Sequence, residues 1–184
     1  IPGGSRARST DFLDEAGGIA DALRALGLTP VLVGGMALVT LGSRRVTRDF
    51  DFVIGRPGAL LEKVVDILYD RGLELASRLT DHGDVAATID NRRVASIRLR
   101  LDAPSSAYFL NPRSGLRIDL LFDFPVPAAT LAASAKRTKI RSWTFNVASE
   151  RDLLRLKKMA RAGRSSPGDA EDIAFLKRLR KTSK

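Results

Sequence analysis

The chain has 184 residues, 44% hydrophobic and 28% charged, with a formal charge of +10 at pH 7. The absence of cysteine and the single histidine exclude disulfides, Cys/His zinc sites and a cysteine nucleophile. No apolar run approaches the roughly 20 residues of a membrane span, so we expect a cytoplasmic protein with no membrane partner. The positive excess favours polyanionic ligands such as nucleotides or nucleic acid.

The N-terminal part predicts an amphipathic helix. Apolar residues from Phe12 to Leu26 share one helical face, and Gly27 is the expected stop. Ser9 or Thr10 is the expected N-cap because a side-chain oxygen there can accept a hydrogen bond from a free amide of the first turn.

The next stretch predicts a strand, a glycine turn, a short helix and a second strand. The apolar run 30–33 is too short for a helix and ends at Gly34-Gly35. A basic loop then leads to Asp49–Ile54, in which acidic and apolar residues alternate as in a half-buried strand.

The middle of the chain predicts further α/β elements. In chain order they are a helix over 58–71 closed by Gly72, a short strand at 73–75, a short helix or loop at 83–91, and a strand over 94–101 with Ile97, Leu99 and Leu101 inward and Arg98 and Arg100 outward. After these come a strand at 107–110, a turn at 111–115, an apolar strand over 116–123, a helix over 127–136 and a strand over 143–147.

The last part of the chain predicts two basic helices. Ser149 is the expected N-cap of the first, with Asp152 at capping-box spacing, and residues 165–167 are expected to start the second. Residues 151–184 hold 11 Lys and Arg against 4 Asp and Glu, so most of the excess charge lies here. The fold class predicted is α+β with an α/β-type mixed sheet, divided into a catalytic domain over 8–148 and a helical region over 149–184.

Asp49 and Asp51 carry the clearest chemical signal. Residues two apart on a strand project from the same face, so the two carboxylates repel each other unless a cation lies between them. Mg²⁺ prefers carboxylate and phosphate oxygens together. A solvated strand edge with two aspartates is the alternative interpretation.

Other residues support a site at this position. The Gly34-Gly35 turn permits close approach of the backbone to a phosphate, although a plain tight turn explains it equally. Asp119 places a third carboxylate inside an apolar strand, where an unpaired charge is costly, and a structural ion pair is the alternative for it. Ser43, Arg44, Arg45 and Arg48 add hydroxyl and cationic groups close to the acids. His82 is expected in a surface loop.

Together these residues resemble the DNA polymerase β-like nucleotidyltransferase superfamily, whose pattern is a glycine turn at a helix start, then D-x-D, then a third Asp on a neighbouring strand. The more specific resemblance is to the nucleotidyltransferase AbiEii toxin family, including MenT-like toxins, with G-G-x-A-L followed by R-x-T-x-D-x-D. Segments 34–38 and 45–51 match these motifs. The family also has a lysine and a D-x-x-D segment on its C-terminal helices, matched by Lys157 and by Asp169 and Asp172.

The resemblance implies a nucleotidyltransferase fold and a set of roles. Asp49, Asp51 and Asp119 are expected to hold Mg²⁺ or Mn²⁺, and Lys157 to neutralise phosphates, with either Asp169 or Asp172 as a further functional acid. The expected contacts to the NTP phosphates are Gly34, Gly35, Ser43, Arg44, Arg45, Thr47 and Arg48.

The leading functional hypothesis is a metal-dependent transferase that moves an NMP from an NTP onto an acceptor hydroxyl. The family implies a toxin acting on tRNA 3′ ends or on a protein, with a cognate antitoxin as a partner, and the basic C-terminal helices favour RNA. One alternative is a small-molecule (antibiotic) nucleotidyltransferase. The other is a non-catalytic module that binds RNA or a protein partner.

Overall fold

The computed structural model describes residues 11–163 and 168–183, and its centre is a mixed sheet of eight strands. The strands are β1 (Val31–Val33), β2 (Asp49–Ile54), β3 (Glu74–Leu79), β4 (Val85–Ile89), β5 (Ser106–Leu110), β6 (Arg117–Phe122), β7 (Lys136–Ile140) and β8 (Trp143–Val147). The helices are α1 (Phe12–Ala25), α2 (Gly34–Thr40), α3 (Leu61–Tyr69), α4 (Arg92–Asp102), α5 (Ala128–Ser134), α6 (Glu150–Gly163) and α7 (Asp169–Thr182). This architecture confirms the predicted α+β class.

The sheet has the strand order β4-β3-β5-β6-β2-β1-β8-β7. β2 and β6 run parallel at its centre, as do β1 and β8, and the remaining neighbours are antiparallel. The apolar residues of β2, including Phe50 and Phe52, belong to one buried core with Leu23 of α1 and Leu68 of α3. The alternate residues of β2 therefore face the opposite side of the sheet, where the acidic side chains lie.

The start of α1 differs from the sequence-based prediction. Asp11 is its N-cap, and the Asp11 carboxylate accepts a hydrogen bond of 3.0 Å from the amide of Leu13. The prediction of Ser9 or Thr10 at this position is wrong. Aspartate caps the helix in the same way through its carboxylate, whose negative charge also interacts favourably with the positive N-terminal end of the helix dipole.

Residues 92–102 form helix α4, so the prediction of a strand over 94–101 is wrong. Asn91 caps this helix by accepting hydrogen bonds from the amides of residues 93 and 94. The buried positions are Ala95, Ser96 and Leu99, at helical spacing, whereas Ile97 is 51% and Leu101 79% exposed. The alternation of arginine with aliphatic residues has the period of two that is typical of a strand, but the buried residues follow the helical period.

Two edge strands also depart from the predictions. Residues 85–89 form β4, which pairs with β3 in a hairpin, so the prediction of a helix or loop at 83–91 is wrong. Lys136 begins β7, whereas we expected it to end the preceding helix, which stops at Ser134. Both strands are short and lie at the two ends of the sheet, where half-exposed residues give a weak alternation.

The two C-terminal helices pack against each other and against the sheet. Ser149 is confirmed as the α6 N-cap, since its Oγ accepts a hydrogen bond of 3.2 Å from the amide of Asp152. The Asp152 carboxylate accepts a hydrogen bond from Ser134 Oγ at 2.6 Å. The predicted start of the second helix at 165–167 lies outside the described residues. Leu153 and Leu176 join the core of the sheet, while the boundary between 8–148 and 149–184 stays a prediction.

In the two described ranges, no helix combines the length and the apolar character that crossing a bilayer requires.

Candidate active site

Three carboxylates meet on the face of the sheet opposite the phenylalanine core. Parallel pairing places Asp51 of β2 directly beside Asp119 of β6, and Asp49 lies two residues before Asp51 on the same face. Asp119 is buried, with 7% of its surface exposed. The predicted convergence of these three acids is therefore what the sheet register produces.

The pKa values of Asp49 and Asp51 are raised in this cluster. Burial raises the pKa of Asp51 to about 8, helped by the charge of Asp119, a hydrogen bond between these two side chains, and the charge of Asp49. The pKa of Asp49 is also raised, mainly by burial and further by the charges of Asp119 and Asp84, while Arg117 and Arg45 oppose the shift. Burial and mutual repulsion both favour the protonated acids, and a bound cation would relieve that repulsion.

Arg117, on β6, is a member of this cluster that sequence reasoning missed. Its Nε donates to Asp119 Oδ1 at 2.7 Å and its Nη2 to Asp119 Oδ2 at 3.1 Å. Its Nη1 donates to the carbonyl of Gly83 in the β3–β4 turn at 2.6 Å, and the guanidinium lies 4.9 Å from the ring centre of Tyr108. The available signal was parity, because a residue two before Asp119 on the same strand must share its face.

The carboxylates fit a divalent cation in chemistry, because hard ions such as Mg²⁺ and Mn²⁺ take carboxylate oxygens. Arg117 already engages both oxygens of Asp119. Among the described residues, no three His, Cys, Asp or Glu side chains stand ready to hold a metal ion together. A metal that binds Asp119 through both oxygens would compete with the guanidinium for them.

The glycine turn packs directly on this cluster. Gly34 begins α2 with φ +68°, and a Cβ at this position would lie 2.2 Å from Asp51 Oδ2. At Gly35 a Cβ would come within 3.0 Å of Arg45 Cζ. Only a residue without a side chain lets the Asp51 carboxylate occupy its position against the turn.

A cleft of about 620 Å³ opens between the sheet and α6 at the carboxylates. Gly34, Asp51 and Lys157 line it together, which brings residues from both ends of the chain to one place. The rest of the lining is largely apolar and includes Tyr108 and the half-exposed Phe124. The space is suited to a ligand with a charged part and a flat or apolar part.

Lys157 belongs to a chain of ion pairs that fixes the C-terminal helices beside the cleft. Its Nζ lies 2.9 Å from Asp172 Oδ2 and 3.3 Å from Asp169 Oδ1. Arg45 reaches the same Asp172 Oδ2 at 2.5 Å. Both aspartates are buried, so these cations contribute to the compensation of their charge.

The other predicted phosphate contacts divide between two neighbouring cavities. Ser43 and Arg44 line a cavity shared with Asp172 on α7. Thr47 and Arg48 line another, formed with α1 and β7. The structure thus groups Gly34, the three acids and Lys157 at one site and joins Arg45 to it through Asp172. Gly35 packs against Arg45, while Ser43, Arg44, Thr47 and Arg48 line other cavities. His82 is exposed in the β3–β4 turn, as expected.

No family model matches the sequence, and no curated protein matches it. Solved structures resemble the fold. The lincosamide antibiotic adenylyltransferase LnuA, bound to lincomycin, gives a TM-score of 0.54 at 16% identity over 89% of this chain and 95% of LnuA. An antigenic nucleotidyltransferase-like protein from Paracoccidioides brasiliensis gives 0.59 at 16% identity over 91% and 76%. ANT(2″)-Ia in complex with adenylyl-2″-tobramycin gives 0.54 at 14% identity over 91% and 88%.

The chain has the nucleotidyltransferase fold. At 12–16% identity these likenesses concern the fold alone, and the more specific AbiEii resemblance stays a prediction. The roles of Asp49, Asp51, Asp119, Lys157, Asp169 and Asp172, and of the phosphate contacts, are likewise predictions.

Proposed function

We propose that the protein is a metal-dependent nucleotidyltransferase, which transfers an NMP from an NTP to an acceptor hydroxyl and releases pyrophosphate. The observation that carries this proposal is the placement of Asp51 beside Asp119, with Asp49 next to them, at a cleft bounded by Gly34 and Lys157. In the reaction, the acceptor oxygen forms a bond to the α-phosphorus while the bond from that phosphorus to the β-phosphate oxygen breaks.

The chain's residues supply binding, orientation and charge. Asp49, Asp51 and Asp119 would hold a divalent cation, which when bound neutralises phosphate charge and makes the acceptor hydroxyl more acidic. Lys157, whose side chain is only 18% exposed but lines the cleft, would pair with a phosphate as a fixed cation. Most of the acceleration then comes from positioning and electrostatic stabilisation.

We assign Asp169 and Asp172 a positioning role. Their carboxylates contact Lys157, and Asp172 also contacts Arg45. They would therefore set where the lysine ammonium stands. Of the two, Asp172 is better placed to matter for the site because it joins α6, α7 and the loop after α2.

A direct test is transfer of label from a mixture of [α-³²P]NTPs with Mg²⁺ or Mn²⁺. Asp51→Asn should abolish labelling and pyrophosphate release, because it removes a carboxylate from the centre of the cluster. Asp66→Asn is the matched control, since this aspartate on α3 is half-exposed and pairs with Arg92 away from the cleft. Equal labelling by wild type and Asp51→Asn would refute the assignment, and no turnover by any variant would favour the non-catalytic binding module.

For the acceptor we propose RNA first. A groove beside the cleft is lined by four cationic side chains, Arg151, Arg155, Lys158 and Arg180. Met159 lines both the groove and the cleft, so the two are adjacent. A phosphate backbone bound along such a groove needs cations without base readout.

A small-molecule acceptor is the second proposal. The largely apolar lining of the cleft, with Tyr108 and Phe124, suits a compact organic ligand. The fold neighbours LnuA and ANT(2″)-Ia were solved with lincomycin and with adenylyl-2″-tobramycin, respectively. A cationic antibiotic would meet the basic groove unfavourably, which is why this proposal ranks second.

Parallel reactions with total RNA and with a panel of aminoglycosides and lincosamides separate the two acceptors. The double variant Arg155→Gln, Lys158→Gln should lose RNA labelling at 150 mM salt but keep small-molecule labelling. Lys63 is an exposed residue of α3, and Lys63→Gln controls for the loss of a surface charge. Toxin activity with tRNA as target remains our finer proposal. It is tested by comparing growth after induced expression of wild type and of Asp51→Asn. Mass analysis of tRNA ends and a drug-resistance assay accompany this comparison.

A further inference from the structure

We propose that Arg117 is a displaceable counter-ion of the carboxylate cluster. It pairs with Asp119 while the site is free of metal and releases that carboxylate when a divalent cation binds. The inference rests on the proposed function, because it concerns the same carboxylates.

The geometry of the pair supports this role. The guanidinium presents two parallel N–H groups to the two Asp119 oxygens at 2.7 and 3.1 Å. Both side chains are largely shielded, at 16% and 11% exposure. A bidentate pair of this kind is among the stronger side-chain hydrogen bonds, and it places a positive charge at both oxygens through which a metal would bind. Arg117 and a metal ion therefore compete for one ligand.

The surroundings give Arg117 a place after release. Its Nη1 already donates to the Gly83 carbonyl, and its plane lies over Tyr108. These two contacts hold the guanidinium in addition to its pair with Asp119, whose cross-strand neighbour on β5 is Tyr108. Tyr108 is part of the cleft lining, so the released Arg117 stays next to the space in which an NTP would bind. The exchange leaves the Asp119 carboxylate compensated in both states, by Arg117 or by the metal ion.

The experiment measures Mn²⁺ affinity by electron paramagnetic resonance at pH 7.5 without nucleotide. Arg117→Met should bind Mn²⁺ roughly tenfold more tightly than wild type, since a competing charged pair is removed. Arg117→Lys should give a smaller gain because an ammonium cannot span both oxygens. In an Asp119→Asn background, Arg117→Met should give no gain, since the competition is for Asp119.

Arg92→Met is the matched control, because this exposed arginine pairs with Asp66 and Asp70 outside the cleft and should leave Mn²⁺ affinity unchanged. Thermal unfolding with EDTA and with Mn²⁺ gives a second readout, and Mn²⁺ should raise the melting temperature of Arg117→Met more than that of wild type. Equal or weaker Mn²⁺ binding by Arg117→Met than by wild type overturns the counter-ion role alone. Absence of Mn²⁺ binding in both proteins overturns the metal-dependent function as well.

Discussion

Replacing Gly34 by alanine tests whether the glycine turn exists to seat the Asp51 carboxylate. The backbone at Gly34 has φ +68°, and the new Cβ would stand 2.2 Å from Asp51 Oδ2. Real Cβ atoms essentially never come within 3.0 Å of such an atom, so the carboxylate must move by about 0.8 Å or the turn must shift.

Two costs follow, and a second glycine separates them. Gly58 also has a positive φ, +54°, but a Cβ there meets nothing within 4 Å. Gly58→Ala should therefore lower the free energy of unfolding by about 1–2 kcal/mol through backbone strain alone. Gly34→Ala should introduce the same backbone strain and should also displace the Asp51 carboxylate by nearly 1 Å. Because the position of this ligand matters for the reaction, we expect a loss in transfer rate on the order of 100-fold.

Urea unfolding gives the stability of both variants, and Mn²⁺ binding followed by pyrophosphate release gives the state of the site. We expect unchanged Mn²⁺ affinity in Gly58→Ala and a loss of at least about tenfold in Gly34→Ala, in line with a misplaced ligand. The reasoning is refuted if the two variants match in stability, Mn²⁺ affinity and turnover, because the clash with Asp51 would then have no consequence.

Three further predictions concern pH, an ion pair and the corrected helix. The pKa of Asp51 in the metal-free folded protein is about 8, above its ordinary value of 3.8, so between these pH values the folded state binds a proton that the unfolded state has lost. In EDTA, the free energy of unfolding should therefore fall as the pH rises from 5 to 8.5. The Asp51→Asn variant should show a smaller fall. Lys157→Met removes a cation that contacts the buried carboxylates of Asp169 and Asp172 and should cost about 2–4 kcal/mol in urea unfolding, against less than about 0.5 kcal/mol for Lys158→Met at an exposed position of α6. Leu99→Ala should cost about 2–4 kcal/mol and Ile97→Ala less than about 0.5, whereas a strand with both inward would make the two costs equal.

Local chemistry in the sequence predicted most of the central sheet and the C-terminal helices. The run before Gly34 is short and wholly apolar, and Asp49–Ile54 alternates cleanly, so β1 and β2 follow from periodicity. Ser149 marks the start of α6 because a hydroxyl cap precedes an apolar stripe of helical spacing. These are features that a few neighbouring residues determine without reference to the rest of the fold.

The errors lie where tertiary contacts decide. Residues 94–101 alternate arginine with aliphatic side chains, and the resulting period of two concealed a helix whose buried residues are Ala95, Ser96 and Leu99. The strands β4 and β7 each pair on one side only, so their residues are only half-buried and lack a strong pattern.

The same division applies to the site. Asp49 and Asp51 could be recognised from spacing within one strand. The contacts of Arg117 to Gly83 and Tyr108 could not be predicted, because they depend on how β3, β4 and β5 pair beside β6 in the sheet. The pairing of Arg45 with Asp172 spans 127 residues, which no local pattern reports.

That long span has a consequence for the order of events during synthesis. A ribosome that has released the chain only as far as Ala148 has produced every strand of the sheet and all three carboxylates. Lys157 and the aspartates that hold it are still to come, and so is the wall of the cleft formed by α6. The nascent protein thus completes its sheet before it completes the proposed site, and the proposed chemistry at the carboxylates waits for α6 and α7 to dock.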